Sequence, residues 1–277
     1  MTVTRDGWAV ITGATSGIGL QFAHSFAAEG APLLIGGRRQ QLLEQRRNEL
    51  LSRGAREVKL IVGDLSDESV IGEFEAFLRN TRCDVLCNNA GFGQNGAIGT
   101  LPTGELLSMQ RVLAEVPLRL CNAALAGMRE RRFGLVINVG SLAGSVAVPE
   151  AATYVAAKAF IERLSESMAL ENLSFGVVIQ ALTPGFVKTD FHRDVTDYRA
   201  RQKSRGLVRW LDSHDVVATS LRRAGKARER LATGASRVPP RRLVVVVPGL
   251  SYQLLSTVSR FIPRRFAYRA ALKREPM

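Results

Sequence analysis

Seven short runs along the chain are apolar at nearly every position: WAVIT (8–12), PLLIG (32–36), VKLIVGD (58–64), CDVLCNNA (83–90), GLVINVGS (134–141), FGVVIQALTPG (175–185) and RLVVVV (242–247). Stretches with helical spacing separate them, near 18–29, 39–53, 67–80, 104–131, 152–172 and 214–230. Strands that are apolar throughout, instead of alternating, belong to a sheet covered on both faces, and their alternation with helices makes that sheet parallel. The expectation is an α/β fold: a doubly wound parallel sheet with helices on both faces, in a single domain. Such a sheet binds and reacts at the carboxyl ends of its strands, so the residue following each run matters most. One position breaks the pattern. Pro117 falls inside the helical stretch 104–131, where it removes a backbone donor at a cost of about 3 kcal/mol or more.

Length and charge narrow the picture. A chain of 277 residues is long enough for one large core. Its net charge of +13 is unevenly placed: residues 1–198 hold 19 Lys and Arg against 21 Asp and Glu, whereas residues 199–277 hold 19 against 4. No run approaches the ~18 uninterrupted apolar residues of a membrane-spanning helix, and nothing near Met1 reads as a leader. The three cysteines, Cys83, Cys87 and Cys121, are an odd number and read as buried thiols of a cytoplasmic protein. Neither they nor the scattered His24, His192 and His214 form a metal-binding pattern, so no metal is expected. The basic third carries no nucleic-acid-binding motif, and no nucleic-acid partner is expected.

Candidate chemistry follows the strand ends. After the first run comes TGATSGIG, with Gly13, Gly17 and Gly19 between strand and helix. Glycines there allow a tight turn and close backbone approach to a pyrophosphate, with free N–H groups at the helix start. The second run ends in Gly37, Arg38 and Arg39. An acidic residue at that point would hold the ribose hydroxyls of NAD, whereas arginine suits the 2′-phosphate of NADP. Asp64 closes the third run, as a contact for an adenine amine or as a helix cap. Asn88, Asn89, Ala90 and Gly91 close the fourth. Ser141 ends the fifth, and Tyr154 and Lys158 follow on a helix at i and i+4, which puts phenol and ammonium on one face. A positive neighbour favours phenolate and brings the tyrosine toward a working pKa.

In this order and spacing, TGATSGIG, NNAG, Ser141, YVAAK and PGFVKT resemble the short-chain dehydrogenase/reductase family over residues 5–190. The resemblance implies a Rossmann-type fold that binds NADP(H) through Gly13, Thr15, Ser16, Gly17, Ile18, Gly19, Arg38, Asp64, Asn89, Ala90 and Gly91. Tyr154, Lys158, Pro184, Gly185, Val187 and Thr189 complete that set. It implies that Ser141 orients a substrate carbonyl, Tyr154 passes the proton, and Lys158 tunes Tyr154 and holds the nicotinamide ribose. The expected activity is that of an NADPH-dependent carbonyl reductase or alcohol dehydrogenase, in a homodimer or homotetramer. A dehydratase or isomerase, or an NADP(H) sensor, on the same scaffold is the alternative. One family residue is absent: the catalytic asparagine of the helix before the fifth strand corresponds to Leu113. Asn122 lies half a turn away and Gln110 about 60° away on a regular helix. Pro117 would then either leave the Leu113 carbonyl free to hold a water in the proton relay, or simply kink the helix.

Residues 190–212 lack periodicity and correspond to the family's substrate lid. Within it Leu207, Val208 and Trp210 either line an apolar pocket or dock the lid on the core. Near the end, Leu250, Leu254, Leu255, Val258, Phe261 and Ile262 form an amphipathic stripe followed by Arg264, Arg265 and Arg269. That stripe packs on the domain or a partner subunit, or lies peripherally on an anionic membrane surface. The basic third also favours an anionic substrate such as an acyl thioester, with another apolar ketone as the wider class.

Overall fold

The computed structural model describes residues 6–189, 206–233, 240–259, 261 and 264–272. Seven parallel strands form one sheet in the order β3-β2-β1-β4-β5-β6-β7. They are β1 (Trp8–Thr12), β2 (Leu33–Gly37), β3 (Val58–Val62), β4 (Cys83–Asn88), β5 (Gly134–Val139), β6 (Val177–Leu182) and β7 (Val245–Val246). The helices are α1 (Gly17–Ala28), α2 (Gln40–Ser52), α3 (Glu68–Asn80), α4 (Thr103–Gln110), α5 (Val116–Glu130), α6 (Ala152–Glu171) and α7 (Ser213–Thr233), then α8 (Arg241–Val244), α9 (Leu250–Val258) and α10 (Arg264–Leu272). Successive strand residues face opposite sides of a sheet, and β1 shows the result. Ala9 and Ile11 join Phe22, Phe26 and Val216 in one core, while Trp8 and Val10 join Phe74, Leu120 and Met168 in the other. Strand order reverses between β1 and β4. That switch point opens the crevice in which a doubly wound fold binds its ligand.

The expected strand at 242–247 is shorter than its composition suggests. Only Val245 and Val246 pair with β6, and Arg241–Val244 form a helical turn. Pro240 occupies the N-cap of that turn, and a helix start makes little use of the N–H that proline lacks. The Arg241 guanidinium then binds Glu162 and, at 2.6 Å, Glu166 on α6. Those two ion pairs fix the turn against α6 and hold residues 241–244 out of the sheet.

Pro117 does not break its helix. Arg111–Glu115 form a π-helical segment between α4 and α5, in which the Val116 N–H donates to the Arg111 carbonyl instead of to Val112. The wider ring takes up the mismatch ahead of the proline, which falls in the first turn of α5, where a missing N–H costs least. The regular-helix geometry expected around Leu113 therefore does not hold. Single π turns within α-helices often mark functional sites.

A chain of polar groups runs beneath the crevice. Asn88 Nδ2 donates to Asn138 Oδ1 at 2.8 Å, Asn138 Nδ2 donates to Ser165 Oγ at 3.0 Å, and Ser165 donates to the Ile161 carbonyl at 2.7 Å. These bonds tie β4 and β5 to the helix that carries Tyr154 and Lys158. The three cysteines are buried, and burial pushes their pKa values up, that of Cys121 to about 12. Such thiols are inert.

Candidate active site

The turn after β1 is built on glycine. Gly13 and Gly17 have φ of +66° and +59°, a region that side chains disfavour. A Cβ on Gly13 would come within 2.8 Å of Ala90 Cα, and one on Gly17 within 2.9 Å of Thr189 Cγ2. Asn89 ties this turn to β4: its Nδ2 donates to the Thr12 and Gly13 carbonyls at 3.1 and 2.9 Å. Its amide and that of Ala90 both donate to Thr12 Oγ1 at 3.0 Å. Gly13, Thr15, Ser16, Gly17, Ile18 and Gly19 thus lie at the start of α1, alongside Asn89, Ala90 and Thr189. Close approach without side chains, and the free N–H groups of a twelve-residue helix, fit a phosphate-bearing cofactor.

The end of β2 adds positive charge. Arg39 Nη2 donates to Thr15 Oγ1 at 3.2 Å, and Arg46 Nε donates to the Thr15 carbonyl at 3.2 Å. Arg38 Nη1 lies 3.6 Å from Asp64 Oδ2. The helix-cap alternative for Asp64 fails, because Asp67 occupies the N-cap of α3. Instead, Asp64 Oδ1 accepts from the Ser66 amide and hydroxyl, each at 2.8 Å. Burial works against the Asp64 charge, but the two Ser66 bonds and Arg38 outweigh it and hold the carboxyl below its usual range.

The third group meets at the ends of β4, β5 and the start of α6. Ser141 caps a 3₁₀ turn, its Oγ accepting from the Ala143 amide at 3.1 Å, and it also hydrogen-bonds the Tyr154 side chain. Lys158 is almost fully buried; its Nζ donates to the Val139 carbonyl at 2.8 Å and lies 5.7 Å from the Tyr154 ring centre. Burial lowers the Lys158 pKa to about 8. Burial also raises that of Tyr154, with the Ser141 bond opposing it. The lowering of the tyrosine by its lysine, expected from the i and i+4 spacing, is thus absent here: desolvation dominates both groups, and the ammonium is directed to a backbone carbonyl.

Leu113 is buried against Met109 and Ala157, with Tyr154 and Phe92 packed alongside. A Cβ on Gly91 would sit 2.7 Å from Leu113 Cδ2 and 4.0 Å from Lys158 Nζ. An apolar side chain therefore closes the wall beside the lysine. Gln110 is engaged elsewhere, its Nε2 donating to the Thr153 carbonyl at 3.3 Å.

The PGFVKT segment leaves β6 across the same edge. Pro184 and Val187 are buried, and Val187 bridges to Leu211. Gly185 provides room for a ring: a Cβ there would lie 2.3 Å from the Tyr252 ring of α9. Tyr252 is a residue that sequence reasoning missed. Its hydroxyl accepts from the Phe186 amide at 3.2 Å and donates to the Arg209 carbonyl at 2.7 Å. The one available signal was its position, 200° around the helix from Leu250, as a lone aromatic off the leucine stripe. Trp210 packs on Phe186 with ring centres 5.0 Å apart and planes tilted by 40°, while Leu207 and Val208 are exposed. The described end of the expected lid is thus docked through Trp210 and Leu211. Its residues 190–205 lie outside the described residues.

A nucleotide-binding glycine turn and a Ser, Tyr and Lys group facing one switch-point crevice define a dinucleotide-dependent enzyme scaffold. Residues 7–200 match the family model described as short chain dehydrogenase, and the chain belongs to that family of NAD(P)-using oxidoreductases. Among curated relatives, a 17-beta-hydroxysteroid dehydrogenase type 3 of Danio rerio is 28% identical over 223 residues, covering 77% of this chain and 73% of its own. A very-long-chain 3-oxoacyl-CoA reductase of Bos taurus is 31% identical over 186 residues, covering 66% of this chain. The matched stretch spans only 60% of that reductase's length. A short-chain dehydrogenase from Sphingobium yanoikuyae, solved in complex with NADPH, superposes with a TM-score of 0.77 at 22% identity, covering 92% of this chain and 94% of its own. That likeness establishes the fold.

Proposed function

We propose that the protein is an NADP(H)-dependent reductase of an apolar ketone or acyl thioester, or the dehydrogenase of the corresponding secondary alcohol. The observation that carries this reading is the meeting of Ser141, Tyr154 and Lys158 beside the glycine turn and Arg38. When bound, the nicotinamide supplies or accepts the hydride. The chain's own residues do the rest. Ser141 Oγ holds the substrate oxygen by a hydrogen bond. Tyr154 Oη, bonded to Ser141, gives its proton to that oxygen as charge develops on it, a role worth about 10²–10⁴ in rate. Lys158, protonated below about pH 8 and anchored on the Val139 carbonyl, would hold a ribose hydroxyl of the nucleotide. Leu113 and Ala157 keep water from the lysine side of this group.

Arg38 at the end of β2, and Arg39, bonded to Thr15 of the glycine turn, support a preference for the 2′-phosphate. The names of the relatives, a hydroxysteroid dehydrogenase and an acyl-CoA reductase, support a large apolar substrate. The test is NADPH oxidation over a panel of ketones and 3-oxoacyl thioesters. Tyr154→Phe is expected to lower turnover at least about 100-fold with NADPH binding kept, and Arg38→Ala to erase the preference over NADH. Product formed without NADPH consumption, or full activity in Tyr154→Phe, would overturn the reading.

A further inference from the structure

Of the stripe expected at the C-terminus, Leu255 is half-buried and Ile262 lies outside the described residues, while the other four side chains face outward. Leu250, Leu254, Val258 and Phe261 are 84%, 52%, 45% and 81% exposed. Leu250, Leu254 and Val258 recur at i, i+4 and i+8 and share one side of α9; Phe261 follows just beyond its end. The helix is held to the domain from the other side, by the buried Tyr252 ring against Gly185 and its two hydroxyl hydrogen bonds. On α10, Phe266, Tyr268 and Leu272 are exposed as well. Soluble proteins scatter single leucines over their surfaces, but a contiguous run of large apolar side chains marks an interaction face.

Charge identifies the occupant. Residues 248–277 carry six Lys and Arg, at Arg260, Arg264, Arg265, Arg269, Lys273 and Arg274, against the single acid Glu275. Arg265 and Arg269 are exposed on α10 beside Phe266 and Leu272. A second copy of the chain would bring this cationic face against an equal one, and like charges repel. A nucleic-acid backbone would satisfy the arginines but would leave Leu250, Leu254 and Phe261 against water. An anionic lipid surface satisfies both, with arginines at the phosphates and leucines and phenylalanine below them.

We propose that α9 and α10 dock the protein on an anionic membrane surface, the stripe Leu250, Leu254, Val258 and Phe261 entering the lipid and Arg265 and Arg269 binding headgroup phosphates. The exposed side of α9 opposes the side that Tyr252 plants against Gly185 and Phe186. The described arm of the lid, Leu207–Leu211, is therefore held by the same helix that meets the lipid, which suits an apolar substrate drawn from that phase.

The experiment is flotation of the full-length chain with phosphatidylcholine vesicles, with and without phosphatidylglycerol. Binding is expected only with phosphatidylglycerol and is expected to weaken as salt shortens the screening length. Arg265→Gln and Arg269→Gln should each lower partitioning about fivefold, and Leu254→Ser with Phe261→Ser should lower it at least about tenfold. All four side chains are exposed, so the unfolding temperature should stay unchanged. Equal binding to both vesicle types, no flotation at low salt, or unaltered partitioning of the variants would overturn the proposal. So would self-association lost in Leu254→Ser without any vesicle binding, or preference for duplex DNA over vesicles.

Discussion

The first two thirds of the chain and its C-terminal third misplace residues in opposite directions. In the first, charge is balanced and the unusual groups are polar ones inside: Asn88, Asn138 and Lys158 are buried and hydrogen-bonded. In the second, charge is strongly one-signed and the unusual groups are apolar ones outside, from Leu250 to Leu272. Burying a polar group is unfavourable unless its bonds are met, and here Asn88 Nδ2, Asn138 and Lys158 find partners on neighbouring strands and helices, which hold them in position. Exposed leucines have no such internal partner. The difference separates a region whose irregular residues serve a site within the fold from one whose irregular residues serve a surface beyond it.

The contrast can be broken at the interior first. Asn138→Leu removes the acceptor of Asn88 and the donor to Ser165, and it is expected to lower unfolding stability by about 2 kcal/mol in urea titrations. An unchanged midpoint would make Asn138 an ordinary core position. Lys158→Met gives a test through pH. The native pKa, about 8, lies below the ordinary value of 10.5, so between those values the unfolded chain binds more protons and stability rises with pH. Lys158→Met should lack that rise. With its lost bond to the Val139 carbonyl allowed for, it should be the more stable protein at pH 7 by on the order of 2 kcal/mol, the gap closing as pH climbs past 8. A gap independent of pH would show that the lysine is not desolvated. Smallest in effect is Tyr252→Phe, at the joint between the two regions. Losing two hydroxyl bonds is expected to cost about 1 kcal/mol, seen as faster amide exchange at Lys188 and Leu211 while the strands β1 to β5 stay protected.

Much of this was legible from residue order. Continuous apolar strands announce a covered parallel sheet, and its switch point follows from the alternation with helices. The glycine turn, Asn89, Ser141, Tyr154 and Lys158 stood out because each follows a strand end or shares a helix face. Other features depend on contacts that spacing does not encode. The π turn at Arg111–Glu115 uses the same residue types as an α-helix and differs only in which carbonyl each N–H reaches. The shortened β7 depends on Arg241 meeting Glu162 and Glu166, which lie 79 and 75 residues away. Periodicity revealed the stripe on α9 but not its direction, which Tyr252 decides from the opposite side. Desolvation of Lys158 likewise needs Leu113 and Gly91 brought against it by the fold.

The ion pair between Arg38 and Asp64 changes what recognition at the end of β2 means. The arginine already lies beside a carboxylate of its own chain, so under the proposed NADP(H) preference a 2′-phosphate would take part in an exchange of partners, with Asp64 as an internal competitor. Selectivity between phosphorylated and plain ribose would then be set by the difference between two anions for one guanidinium. The displaced Asp64 would not be lost to solvent but would stay within reach, ready to reclaim the arginine when the nucleotide leaves.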